Sequence, residues 1–303
     1  MLNRPILAVL LAAALPACGH LQPPLAVPPA PAPAQSLYEA LTQAVVRLES
    51  RREFDAQTFV SSPLGTGFLV EHSGQLFLVT ARHVVEATEE SRVRTPLSTH
   101  EFVIPRAAWV FHPAASGRQQ RPTGEWIQVD PVDVAVARLP WPEDAQLQPL
   151  VYCPRSCNGR RNQLASTDPE PLQPVLAAGH PSYLTFELRR QRPLVRTGTV
   201  AMAASEPFLK TLGGRSYLEP RVRAIDMRSF PGDSGSPLFE GSNLAEGWRL
   251  VGMILGGDSE LDFAIAEPVS RVAETLELAA RTQQPAGLVH VQRLPAAAHP
   301  TLK

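Results

Sequence analysis

A serine between two glycines, in Phe230-Pro231-Gly232-Asp233-Ser234-Gly235-Ser236-Pro237-Leu238-Phe239, is the stretch of this chain best suited to covalent chemistry. Glycines at 232 and 235 permit positive φ and close approach to a ligand, and Pro237 with Leu238 and Phe239 returns the chain to a strand, so Ser234 sits at a loop tip held by sheet. A hydroxyl is a weak nucleophile and needs a base within hydrogen-bond reach, plus a third group that orients the base. His83 follows the β-type run Phe77-Leu78-Val79-Thr80 and is the candidate base. Asp133 heads the alternating segment Val132-Asp133-Val134-Ala135-Val136-Ala137-Arg138-Leu139 and is the candidate carboxylate. The rival Asp130 precedes Pro131 and reads as a turn. Taken singly, each residue has an ordinary explanation: a serine in a type II turn, a histidine at a strand end, an aspartate opening a strand.

The three segments, in the order His, Asp, Ser, resemble the trypsin-like serine peptidases, and within them the bacterial branch of glutamyl endopeptidases and HtrA-type proteases. The α/β-hydrolases carry Ser, Asp and His in that order on a G-x-S-x-G elbow. Here the base comes first and Ser236 occupies the fifth elbow position. The resemblance spans about residues 40–282 and implies an all-β, chymotrypsin-like fold of two six-stranded antiparallel β-barrels with a C-terminal helix. It implies an endopeptidase in which Ser234 attacks, His83 moves the proton and Asp133 orients the imidazole, through an acyl-enzyme. The N–H groups of Gly232 and Ser234 form the oxyanion hole. It implies substrate contacts from Arg228, Ile254, Leu255, Gly256 and Gly257, with the two glycines letting an extended peptide pair as an added strand.

Glutamyl endopeptidases carry a histidine where Ile254 stands, and Arg228 replaces the pocket aspartate of trypsin. The expected preference is therefore an apolar or small residue, or an acidic one if Arg228 points inward. No Arg-Ile-Val-Gly-Gly junction precedes the first strand, so either a cation other than a freed N-terminus pairs with Asp233 or the turn is competent as synthesised. The alternative is a catalytically silent trypsin-like fold acting as a binding or scaffold lipoprotein, for which Arg82 beside the base and Pro231 beside the hole leave room. Esterase chemistry on the same site is a third reading.

The elements that must position these residues follow from period-2 patterning and turn signals. A short helix from Leu37 leads into a strand near Ala44–Leu48, and strands at 65–70 and 75–80 flank a turn at His72-Ser73-Gly74. Further strands are expected at 102–104, 108–111 and 134–139 in a first barrel of about residues 44–145. A second barrel of about 150–267 holds strands at 174–181, 196–201, 221–225, 248–254 and 262–266. Val269, Val272, Leu276 and Ala279 repeat at helical spacing over 268–281, which predicts a terminal helix. The peptidase domain thus runs over 36–282, and 283–303 reads as a flexible tail.

The chain has 303 residues, a formal net charge of −1 and 19% charged residues, which gives no basic field for nucleic acid. Residues 1–17 read as a signal peptide: Arg4, then an apolar run too short to span a membrane. Leu15-Pro16-Ala17-Cys18-Gly19 resembles a bacterial lipobox, which implies lipidation of Cys18, a membrane anchor, and a periplasmic or outer-membrane location; secretion as a soluble protein is the alternative. Residues 18–35 hold this cysteine and a Pro/Ala tether that favours polyproline II. Cys153 and Cys157 suit a short-loop disulfide in an exported protein, with free thiols as the alternative. Two thiols without a paired-histidine motif make no zinc site, so no metal and no cofactor is expected. The expected partner is a protein or peptide substrate; the sequence leaves the oligomeric state open.

Overall fold

The computed structural model describes residues 37–53, 59–94, 100–114, 117–120, 123–124, 126–142, 147–152, 163–165, 167–182, 192–203, 208–212, 215–219, 222–241, 248–258, 262–282 and 288–293. Cys18, Cys153, Cys157, the signal peptide and the tether lie outside them. Helix α1 (Leu37–Ala44) runs directly into β1 (Val45–Glu53), followed by β2 (Phe59–His72), β3 (Gln75–Thr80), the short helix α2 (Arg82–Glu86), β4 (Glu90–Arg94), β5 (His100–Pro105) and β6 (Trp109–Phe111). After β7 (Gly117–Gln120) and β8 (Trp126–Val129), β9 (Ala135–Leu139) completes the first half.

The first half is a curled antiparallel sheet in the order β6-β9-β3-β2-β1-β4-β5. Its two end strands, β5 and β6, are consecutive in the chain, joined by a 3-10 turn at Arg106–Ala108, and do not pair, so this half is a curled half-barrel of seven strands where a closed six-stranded barrel is expected. Strands β2 and β3 meet through Ser73-Gly74, whose φ values of 52° and 75° are those of a type I′ turn, the form that matches strand twist. Strand β3 is apolar on both faces because it is covered on both: one face fills the barrel, and the other meets the terminal helix.

Short strands β10 (Leu150–Val151) and β11 (Gln163–Leu164) link the halves, β10 pairing with β2. The second half comprises β12 (Pro174–Gly179), β13 (Leu194–Ala203), β14 (Phe208–Leu212), β15 (Arg215–Glu219), β16 (Arg223–Asp226), β17 (Pro237–Glu240), β18 (Arg249–Asp258) and β19 (Phe263–Pro268). Six of these close fully, in the cycle β12-β13-β16-β19-β18-β17 and back to β12. The β14-β15 hairpin instead joins β8 and β7 in a separate sheet. These four strands escaped the sequence reading because their segments are short and pair with one another across the two halves.

Helix α3 (Val269–Arg281) buries Val269, Val272, Leu276 and Ala279, as the spacing predicts, and packs on β3, β6 and β9 of one half and on β18 and β19 of the other. It straps the two barrels together. The expected tail at 283–303 is not featureless: β20 (His290–Arg293) pairs antiparallel with β5. Leu288 and Val289 pack against the first core, and the outer edge of β5 supplies the unpaired backbone groups that a following strand can take.

Candidate active site

The nucleophile turn follows from its proline and glycines. Asp233 N–H donates to Phe230 O at 3.0 Å and Gly232 has φ +95°, so Phe230-Pro231-Gly232-Asp233 is a type II turn. Ser182 N–H donates to Pro231 O at 2.7 Å. The peptide is trans, so that bond fixes the Gly232 N–H to point the opposite way. Among the described residues, the N–H groups of Gly232 and Ser234 donate no backbone hydrogen bond. A Cβ on Gly232 would lie 2.5 Å from Ser182 N and 2.7 Å from His180 O, which excludes any side chain there. Gly235, at φ +88°, is excluded likewise, since a Cβ would collide with Thr66 O and Thr80 Oγ1.

One residue of the first barrel stitches this turn in place. Thr66 N–H donates to Ser234 O at 2.8 Å and Thr66 Oγ1 donates to Gly232 O at 2.8 Å. The same hydroxyl accepts from His180 N–H at 2.8 Å, and Thr80 Oγ1 donates to Thr66 O at 2.7 Å. The visible signal is a hydroxyl residue between two glycines in Gly65-Thr66-Gly67; sequence reasoning took it only as strand.

His83 is the second residue of α2, which follows the end of β3 after the single residue Ala81. Its Nδ1 lies 2.5 Å from Asp133 Oδ2, and its backbone N–H donates to Asp133 Oδ1 at 2.9 Å. The carboxylate beside Nδ1 selects the tautomer with the proton on that nitrogen, leaving the Nε2 lone pair as the acceptor. Asp133 is itself held at its backbone: its N–H donates to Glu267 Oε1 at 2.9 Å, and its carbonyl accepts from Arg82 N–H at 3.3 Å. The histidine side chain is 50% exposed and the aspartate 22%, so the base faces solvent with the carboxylate behind it. The nucleophile turn and α2 meet at Gly65, where a Cβ would lie 2.8 Å from Ser234 O and 2.9 Å from Val84 Cγ2. Ser234 Oγ donates to Leu255 O at 2.7 Å.

A family model described as a trypsin-like peptidase domain matches residues 65–253, more than half of the chain. The chain belongs to that family. No curated protein matches it significantly. Solved structures similar to it include the Rv3671c protease of M. tuberculosis in its active form, at 18% identity and a TM-score of 0.49 over 82% of this chain and 86% of that one. The MamO protease domain of Magnetospirillum magneticum is similar at 15% identity and a TM-score of 0.45, over 82% of this chain and 100% of that one.

In this trypsin-like peptidase the residues assigned to substrate contact occupy different settings. Ile254 is fully buried in the second core, and both its backbone groups bond to the nucleophile turn, to Gly235 N–H at 2.7 Å and Ser236 O at 2.8 Å. A bulge between Ile254 and Gly256 leaves Leu255 out of the β18–β19 ladder, which frees its carbonyl for Ser234. A Cβ on Gly256 would meet nothing within 4 Å, whereas one on Gly257 would lie 2.5 Å from Phe263 O and 2.6 Å from Ser229 Cβ. The Arg228 side chain is 65% exposed and its Nε lies 3.6 Å from Asp262 Oδ1. Arg82, the residue beside the base, turns away from it: its guanidinium binds Glu86 at 2.6 Å and lies 5.0 Å from the centre of the Phe111 ring. Glu86 is thereby held below the usual carboxylate range.

The peptidase also answers which cation meets Asp233. Asp233 is fully buried, and its Oδ2 accepts from Phe230 N–H at 2.6 Å and faces Arg196 Nη2 at 2.6 Å. Burial pushes the Asp233 carboxyl up by more than Arg196 pulls it down. His180 is buried between the barrels with a hydrogen bond to the Val45 backbone, and desolvation lowers its pKa to about 4, helped by Arg47. Neither Arg196 nor Glu267 carries a signal in the one-dimensional pattern. Among the described residues no cluster of three or more His, Cys, Asp or Glu is placed to hold a metal.

Proposed function

We propose that the chain is a serine endopeptidase that hydrolyses peptide bonds through Ser234, His83 and Asp133 by way of an acyl-enzyme. The observation that carries this reading is the His83–Asp133 pair. A carboxylate accepting both the backbone N–H and the Nδ1 proton of one histidine leaves a single basic nitrogen, Nε2, on an element that shares Gly65 with the nucleophile turn.

The hydroxyl of Ser234 leaves Leu255 O, gives its proton to His83 Nε2 and forms the bond to the scissile carbonyl carbon. The negative charge on the carbonyl oxygen is met by the N–H groups of Gly232 and Ser234. What supports that role is the type II turn, whose Pro231 carbonyl is engaged by Ser182 and so faces away. The imidazolium, balanced by Asp133, returns the proton to the departing amine as the C–N bond breaks. Water then repeats the sequence on the ester and regenerates the hydroxyl. The open face at Gly256 supports an extended substrate lying along β18, with Leu255 O free to accept a substrate N–H once Ser234 has turned. The exposed, ion-paired Arg228 supports a rim position for that charge and an apolar or small preference in the pocket. The same reading includes export and lipid attachment at Cys18, tested by globomycin-sensitive processing and acyl labelling.

Fluorophosphonate labelling tests the site directly. The wild-type chain is expected to be labelled and to cleave a peptide library, and Ser234→Ala to do neither. A wild type that takes no label, or a variant labelled equally, would sink the reading, and turnover of esters without peptides would replace it with esterase chemistry.

A further inference from the structure

We propose that Glu267 is a positioning residue that places the His83–Asp133 pair relative to Ser234, by holding the backbone of Asp133 from the half of the molecule that carries the nucleophile. This rests on the catalytic reading above. Asp133 is first of all tied to the base's own segment. Its Oδ2 lies 2.5 Å from His83 Nδ1, its Oδ1 accepts His83 N–H at 2.9 Å, and its carbonyl accepts Arg82 N–H at 3.3 Å. Those bonds fix the pair internally, and they move with it as one piece. The backbone N–H of Asp133 goes elsewhere: it donates to Glu267 Oε1 at 2.9 Å, and Glu267 belongs to β19 of the second half.

The acceptor stands on a rigid support. Glu267 is buried and pairs with Met253 of β18 in the ladder. Arg271, in the first turn of α3, brings Nη1 to 3.6 Å from its other carboxyl oxygen. The residue after Met253 is Ile254, whose carbonyl accepts Gly235 N–H at 2.7 Å and whose N–H donates to Ser236 O at 2.8 Å. The connection from Asp133 to the nucleophile turn is therefore one side chain and two strands already in register. Thr66 supplies the reciprocal tie, from β2 of the first half to Gly232 O and Ser234 O. Each half thus holds the reactive segment of the other, so base and nucleophile come into line when the halves dock. Removing the accepting oxygen at position 267 releases the base side of that arrangement, and a misplacement of about 1 Å can cost on the order of 100-fold in rate.

The test uses the full chain with Glu267→Leu and Glu267→Gln. Glutamine keeps an oxygen that accepts Asp133 N–H, whereas leucine fills the space and keeps none. Glu267→Leu is expected to lower the fluorophosphonate labelling rate and kcat by about 10- to 100-fold, with KM moving less. Glu267→Gln is expected to restore most of that rate, even where its thermal midpoint falls with that of the leucine variant. A residue that only stabilised the fold would give rates that follow the midpoint. A folded Glu267→Leu labelled at the wild-type rate, or a Glu267→Gln as slow as Glu267→Leu, overturns the proposal. If Glu267→Leu does not fold, Glu267→Asp takes its place, keeping the charge but withdrawing the oxygen by one methylene, and the same outcomes are read on it. A wild type that takes no label overturns the catalytic reading instead.

Discussion

The two halves of the site are built on different physical terms. On the first barrel, His83 and Asp133 lie at the ends of neighbouring strands and are held by short-range backbone bonds, and the pair is partly open to solvent. On the second, the nucleophile turn encloses a fully buried carboxylate and is held from several directions: Arg196 from β13, Thr66 from β2, Ser182 from beyond β12, and Ile254 from β18. The contrast separates two requirements. Reactive groups need only be adjacent to be useful, whereas backbone donors must be aimed, and aiming a peptide plane takes contacts from several elements at once.

The sharpest way to break this comparison is to remove a reactive group. Ser234→Ala is expected to lower kcat by roughly 10^6-fold with little change in thermal midpoint, read by single-turnover peptide cleavage. Asp133→Asn should keep the fold and cost about 10^4-fold, because an amide stabilises the wrong imidazole tautomer. A much smaller loss would mean that the carboxylate does not orient the base.

Contacts that only aim the turn should cost less. Thr66→Val removes the donor to Gly232 O and the acceptor of His180 N–H, and is expected to cost about 1–3 kcal/mol, divided between stability and kcat. If stability alone changes, Thr66 belongs to the interface and not to the turn. The smallest effect concerns pH. His180 is held neutral down to about pH 4, while in the unfolded chain it takes a proton near pH 6.5. The unfolded state thus binds more protons between those values, so stability is full above about 6.5 and declines as pH falls towards 4, by at most about 3 kcal/mol. Urea midpoints across that range should show this slope, and His180→Gln should flatten it.

The same division explains what could be read in advance. His83 and Ser234 announce themselves through strand-then-turn patterns, and Gly232 and Gly235 take the positive φ that their neighbours lead one to expect. Strand β4, the small sheet of β7, β8, β14 and β15, and the pairing of β20 with β5 were not legible, because short segments without a sustained period are fixed as strands by the partners that folding brings beside them. Asp133 could be preferred over Asp130 from Pro131 alone, but its tie to Glu267 could not be foreseen, since 134 residues separate them.

By itself, the sequence determined where the barrels and the terminal helix form, because apolar periodicity and turn residues act over neighbours. It also singled out His83, Asp133 and Ser234 as side chains whose chemistry suits joint action, of which the structure pairs His83 with Asp133. Only the tertiary structure decided that Arg196 meets Asp233, that Thr66 and Ser182 aim the turn, and that Arg82 turns away from the base. Those outcomes depend on which strand faces which after closure, and a long-range contact between polar groups leaves no periodic trace along the chain.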